Sequence, residues 1–76
     1  MTIKDVKEST VFTGVVKVDQ KSNLDVTATV VDGRIIPSIV AERGQEPHPL
    51  DIFNTEEIDM ALELFVDHIS SIMSRR

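Results

Sequence analysis

The fold is decided by residues 24–40, LDVTATVVDGRIIPSIV, which contain one strand, one tight turn and most of a second strand. Residues 24–31 alternate between apolar and polar side chains and are rich in β-branched types, a pattern typical of a strand with one buried face. We expect four side chains of this strand to face the core: Leu24, Val26, Ala28 and Val30.

Asp32-Gly33 follows this strand directly and predicts a two-residue hairpin turn, because Asp-Gly tolerates the positive φ angles that such a turn requires. A two-residue turn also fixes the register of the two strands. The predicted cross-strand pairs are Val31–Arg34, Val30–Ile35, Ala28–Pro37 and Val26–Ile39.

Pro37 indicates where the second strand of this hairpin lies in the sheet. The pair Ala28–Pro37 is predicted to be non-hydrogen-bonded, so the N–H that proline lacks would point away from the hairpin partner. Proline is tolerated in this way at the edge of a sheet. A further strand, residues 10–18, must then lie on the other side of residues 24–31. The sequence therefore predicts an α+β fold with a three-stranded antiparallel meander in the order 1-2-3, over residues 10–42.

The start of a C-terminal helix is marked by capping residues. Asn54 and Glu57 have capping-box spacing, and Phe53 and Ile58 occupy the positions of a hydrophobic staple. A helix from about Thr55 would bring one apolar stripe onto the sheet: Ile58, Ala61, Leu62, Phe65, Ile69, Ile72 and Met73. We expect one domain over residues 1–76, with an N-terminal arm (1–9), the meander (10–42), a loop (43–53) and the helix (54–76) packed on one face of the sheet.

Composition and charge exclude several classes of function. The net charge is −5, and residues 42–67 hold eight acidic residues against one arginine, so the chain lacks the basic surface expected of a nucleic-acid-binding protein. It has no cysteine for a disulfide, and its N-terminus contains no apolar run typical of a signal peptide. We expect a complete small cytoplasmic protein of bacterial or phage origin that does not enter the membrane.

The sequence contains no pattern that indicates catalysis. It has no cysteine nucleophile, no glycine-rich phosphate loop and no nucleophile elbow. His48 and His68 are the only histidines, and they show no metal-ligand spacing. We therefore expect no enzymatic activity, no cofactor and no metal. The alternative is a small metal or ligand site at the two histidines.

Two surfaces are candidates for contact with other proteins. The sheet face opposite the helix is predicted to carry five aliphatic side chains that the helix does not cover, namely Val11, Val15, Val31, Ile36 and Val40. Such a face is typical of either a contact surface or a solvated sheet with β-branched residues. The strand over residues 10–18 also has no proline, which would leave an open edge for strand addition.

The second candidate surface is acidic. Glu56, Asp59, Glu63 and Asp67 are predicted to lie on the exposed side of the helix, where i, i+4 spacing brings like charges together. This arrangement indicates either a solvated face that aids solubility or a docking surface for a basic protein. The residues predicted to contact proteins are Val11, Val15, Ile36, Val40, Glu63 and Asp67.

These surfaces predict a non-catalytic protein-interaction module. Our first hypothesis is a homodimeric regulator or inhibitor that binds itself, another protein with a basic surface, or both. The alternative is a structural or accessory subunit whose uncovered sheet face is permanently buried in a larger assembly.

Overall fold

The chain forms an antiparallel sheet covered on one side by a long helix. The structure is a computed structural model that describes residues 1–20, 22–40 and 49–75. The elements are β1 (Thr2–Glu8), β2 (Phe12–Lys17), β3 (Asn23–Val31), β4 (Arg34–Ile39), α1 (Pro49–Ile52) and α2 (Thr55–Ser74). Each strand pairs with its neighbour in sequence, which gives the order β1-β2-β3-β4. The predicted α+β class, antiparallel meander and C-terminal helix are confirmed, but the sheet has four strands and not three.

The hairpin of β3 and β4 agrees with the sequence prediction pair by pair. Val31 pairs with Arg34, Val30 with Ile35, and Ala28 with Pro37. Asp32 and Gly33 have φ angles of 51° and 76°, as a turn of this type requires. Pro37 lies on an edge strand, as predicted.

The predicted N-terminal arm, residues 1–9, is wrong because most of this segment forms β1. Ile3 and Lys4 pair with β2 in regular register, and the register then shifts between Lys4 and Lys7. The shift leaves two residues, Asp5 and Val6, opposite Gly14. Asp5 has a φ of 54°, a left-handed conformation that aspartate adopts more readily than most residues. The extra residue interrupts the alternation of apolar and polar side chains, and that interruption hides the strand in the sequence.

The helix α2 begins where its capping residues predict. The Asn54 side chain accepts a hydrogen bond from the Glu57 N–H at 2.8 Å, and Glu57 Oε1 accepts one from the Asn54 N–H at 3.2 Å. Together they complete a capping box. The predicted loop over residues 43–53 contains α1, since Pro49–Ile52 are helical. Residues 41–48 lie outside the described residues.

The core lies between α2 and the inner face of the sheet. Its buried side chains are Phe12, Val16, Leu24, Val26, Ala28, Phe53, Ile58, Ala61, Phe65 and Ile69. Ile3 and Val6 of β1 pack against this cluster and are half-buried. Val30 was also expected to face the core, but it is 36% exposed. It lines a cavity of about 220 Å³ with Met73, which lies in the last turn of α2.

Gly14 allows α2 to approach the sheet closely. A Cβ atom at this position would lie 2.8 Å from Cε1 of Phe65 and 3.4 Å from a methyl group of Val6. The first distance is shorter than van der Waals contact allows, and Phe65 is fully buried. The aromatic ring therefore occupies the space above Gly14, directly opposite the irregular part of β1.

Candidate protein-interaction surface

The sheet has an outer face, which we define as the side chains that point away from α2. In β2 and β3 these side chains alternate with buried core residues, and directly paired residues share a face. The register of β1 and β4 extends the outer face to both edges of the sheet. The outer face includes Lys4, Lys7, Thr13, Val15, Lys17, Asp25, Thr27, Thr29, Val31, Arg34, Ile36, Ser38 and Val40.

The aliphatic residues of the outer face are partly open to solvent. Ile36, Val31 and Val40 are 52%, 46% and 40% exposed, and Val15 is half-buried. These exposed fractions show that no part of the described chain covers them. Val40 continues the alignment of β4 with β3, because its N–H donates a hydrogen bond to the Asp25 carbonyl oxygen at 2.9 Å.

Val11, the remaining aliphatic residue of the predicted contact set, lies at a different place. It precedes β2 and lines the cavity that Val30 and Met73 share at the end of the sheet. We therefore do not include it in the outer face.

One row of the outer face crosses the sheet and combines charged and apolar side chains. Lys4 pairs with Val15, and Val15 pairs with Asp25. Val40 lies beyond Asp25 on the side of β4, so the carboxylate stands between two valines. The groove along this part of the face has a volume of about 400 Å³, and Asp5 and Lys7 from β1 line it together with Val15, Asp25 and Val40. An aspartate in the middle of a strand is unusual, and here its side chain is exposed.

The two sides of the molecule differ in charge. Among the described residues, the outer face carries four basic side chains, Lys4, Lys7, Lys17 and Arg34, and Asp25 as its acidic member, with Asp5 beside it in the groove. On the opposite side, α2 carries an acidic stripe, which we define as Glu56, Asp59, Glu63 and Asp67. All four carboxylates are exposed. Met60 adjoins this stripe and is 59% exposed.

Both edges of the sheet oppose strand addition. The expectation of an open edge at residues 10–18 is wrong, because β1 covers that side. The edge strand β1 is irregular at Asp5 and carries exposed Lys4 and Lys7, while β4 contains Pro37. Bulges, lysines and prolines are the usual means by which sheets block edge-to-edge pairing. Association through the faces of the molecule is therefore favoured over association through the edges of its sheet.

The histidines do not form a site within the described residues. His68 is exposed on α2, and His48 lies outside the described residues. In residues 1–20, 22–40 and 49–75, no group of three or more histidine, aspartate and glutamate side chains is placed to hold a metal ion.

Comparison with known proteins gives no relative for this chain. No protein-family model, curated protein or solved structure matches it. Among the described residues, no helix has the length and apolar character needed to cross a membrane. Function is therefore inferred from the exposed surfaces and their chemistry.

Proposed function

We propose that this protein is a non-catalytic protein-interaction module that acts as a homodimeric regulator or inhibitor. In this proposal the outer face mediates self-association, and the acidic stripe binds a second protein that has a basic surface. The observation that carries the proposal is the exposure of Ile36, Val31 and Val40 on a sheet face that the described chain leaves uncovered. Aliphatic side chains that are exposed on the same face of a sheet are typical of contact surfaces.

The composition of the outer face favours a reversible contact. Thr13, Thr27, Thr29 and Ser38 separate the aliphatic residues, and Asp25 lies among them. Permanently buried interfaces are more apolar than this. We therefore prefer the regulator to the structural subunit, whose interface would resemble a protein core.

The position of the acidic stripe supports a second contact. The stripe lies on the side of α2 that faces away from the sheet, so self-association through the outer face leaves it free. Four exposed carboxylates without a basic neighbour in the stripe would accelerate association with a basic surface and orient it. Glu63 and Asp67 lie beyond the first turn of α2, where compensation of the helix dipole does not explain them.

Self-association is tested by the substitution Ile36→Lys. A lysine at the most exposed aliphatic position should weaken the dimer in sedimentation equilibrium while the circular dichroism spectrum stays unchanged. Ser70→Lys adds the same charge on the exposed side of α2 and should leave the dimer intact. A wild-type chain that is monomeric at concentrations up to about 1 mM would refute the homodimer. Loss of folding in Ile36→Lys alone would indicate the permanently buried interface of a structural subunit.

The acidic contact is tested by capture from the source cell. Wild-type protein and the double variant Glu63→Gln/Asp67→Asn, which removes charge but keeps side-chain size, serve as matched baits. We expect a partner that binds the wild type, is lost from the double variant and dissociates as salt increases, since salt screens exposed charges. A partner that both baits retain equally would show that the acidic stripe is not its binding surface.

A further inference from the structure

We propose that the outer face binds a second copy of this chain about a two-fold axis that lies in the interface and runs along β2 over Val15, with Lys4 of each copy paired to Asp25 of the other. This inference deepens the proposed homodimer and rests on it. It specifies which residues meet, and it can fail while the dimer itself stands.

The charge pattern of one row carries the inference. Lys4, Val15 and Asp25 follow one another across β1, β2 and β3, so the row reads positive, apolar, negative. A two-fold axis that lies in the interface along β2 turns this row into negative, apolar, positive. Two copies that meet face to face about Val15 would therefore place each lysine opposite a carboxylate, and the two valines against each other. A two-fold interface must be complementary to itself, and this row satisfies that condition.

The surroundings of the row fit the same arrangement. Packed sheets lie about 10 Å apart, a gap that a lysine and an aspartate side chain can bridge together. The methylene groups of the incoming lysine would rest on Val40, which flanks Asp25 on its other side. Strand β1 of the second copy would bring Lys7 as well as Lys4, with Asp5 between them. These three side chains together present two positive charges and one negative charge to Asp25.

Among the described charged residues of the outer face, Lys17 is the one that this arrangement opposes to its own copy. It lies on β2 and therefore close to the axis, two residues beyond Val15. Its side chain is exposed at the end of the strand, where solvent screens the repulsion.

A second copy matches the order of charges in the row of Lys4, Val15 and Asp25, which a partner of uniform charge cannot do. A strongly basic surface would be repelled by Lys4, Lys7, Lys17 and Arg34. A strongly acidic surface would place negative charge opposite Asp25. A surface with both charges in a fixed order selects a partner with the reverse order, which the same face supplies.

The size of the face predicts a weak dimer. About an axis along β2, strands β1, β2 and β3 of the two copies overlap and β4 lies at the margin of the contact. Three strands at about 4.8 Å spacing and about six residues at about 3.3 Å give a footprint of roughly 300 Å² per copy. Stable interfaces bury about 800 Å² per partner. We therefore expect a dimer that forms in the micromolar to millimolar range and not a permanent one.

The test is a charge exchange between two variants, Lys4→Glu and Asp25→Lys. Each variant alone would place like charges opposite each other at both symmetry-related pairs, so each should dimerise at least about tenfold more weakly than the wild type. Mixed in equal amounts, they should form a heterodimer. In that heterodimer the introduced glutamate of one variant meets the introduced lysine of the other, and the native Lys4 and Asp25 form the second pair.

Sedimentation equilibrium of each variant and of the mixture measures these affinities. Both substituted side chains are exposed, so folding should persist. A circular dichroism spectrum of each variant checks that it does.

Two controls separate this arrangement from other effects of charge. Arg75→Glu makes the same charge change as Lys4→Glu at the exposed C-terminal end of α2, outside the outer face, and should leave the affinity unchanged. Asp32→Lys makes the same charge change as Asp25→Lys at the exposed hairpin turn, outside the row, and should also have no effect.

The outcomes distinguish this inference from the proposed function. If the dimer forms in the mixture but not in either variant by itself, the result supports the two-fold axis at Val15. If the wild type dimerises but the mixture does not recover, the axis is wrong and the homodimer stands. If the wild type is monomeric throughout, both proposals fail.

Discussion

The two outer hairpins of the sheet are built from similar strands but differ in regularity. In β3–β4, residues alternate between the inner and outer face, and the two-residue turn sets the register of all six pairs. In β1–β2, the extra residue at Asp5 and Val6 shifts the register halfway along the strand. The pairing of β3 with β4 is predictable residue by residue, whereas the sequence predicts an arm in place of β1.

Regular alternation of apolar and polar residues, and not apolar content, therefore makes a strand recognisable in a sequence. Ile3 and Val6 both pack against the core, although they are three residues apart. A spacing of three breaks the period of two that a regular strand shows. The segment is also too short for this spacing to indicate an amphipathic helix. The bulge returns the Val6 side chain to the inner face of the sheet. It also breaks the alternation of apolar and polar residues by which a strand is recognised in a sequence.

Of the changes that test this difference between the two hairpins, deletion of Thr27 should lower the stability of the domain most. Strand β3 has no bulge, so loss of one residue moves every side chain on one side of the deletion to the opposite face. We expect the free energy of unfolding to fall by more than about 4 kcal/mol, which leaves a domain of this size unfolded. Circular dichroism and the dispersion of an amide NMR spectrum measure the loss. A dispersed spectrum would show that β3 tolerates irregularity as β1 does.

Gly14→Ala should produce the next largest effect, in the irregular hairpin. The new methyl group would collide with the ring of Phe65, so we expect a loss of about 1–3 kcal/mol in urea unfolding. In a Phe65→Leu background, which removes the ring edge, the same substitution should cost less. An equal cost in both backgrounds would mean that steric conflict with Phe65 is not the cause.

Gly33→Ala is the matching substitution in the regular hairpin, and its cost should have a different origin. No atom lies within 4 Å of a Cβ atom at this position, but φ is +76°. We expect a loss of about 1 kcal/mol from the left-handed conformation. This loss should be the same with and without Phe65→Leu. A cost below the error of urea unfolding would show that the turn relaxes to another type.

Deletion of Asp5 should have the smallest effect, although it removes a strand residue. The shortened β1 would place Val6 opposite Gly14 in a regular ladder, with Ile3 and Val6 still on the inner face. We expect stability within about 1 kcal/mol of the wild type, because a left-handed residue is also removed. NMR contacts between Val6 and Gly14 would verify the new register. Loss of β1 from the sheet would show that the bulge itself is required.

Much of the fold could be predicted from local signals alone. The turn residues Asp32 and Gly33 predict the pairs of β3 and β4, and Asn54 and Glu57 predict the start of α2. These signals act over a few neighbouring residues, so no knowledge of the remaining structure is needed. Val30 shows where prediction from local signals fails, because its exposure depends on where a helix distant in sequence ends.

The candidate surface was less accessible to prediction because it depends on β1. Val15, Ile36 and Val40 follow from strand alternation, but their neighbours do not. Lys4 lies opposite Val15 as a consequence of the register of a strand that the sequence does not reveal. The order of charges across the face is therefore a property of the folded sheet.

The strand order β1-β2-β3-β4 has a consequence for how the chain folds. Each strand meets the segment next to it in sequence, so hairpins form by closing short loops whose entropic cost is small. The two-residue turn of β3–β4 offers the shortest closure, and α2 can dock once the inner face exists. Chains dominated by such local contacts fold faster than chains whose strands pair across long separations. We therefore expect this small sheet to assemble by zipping outward from Asp32-Gly33.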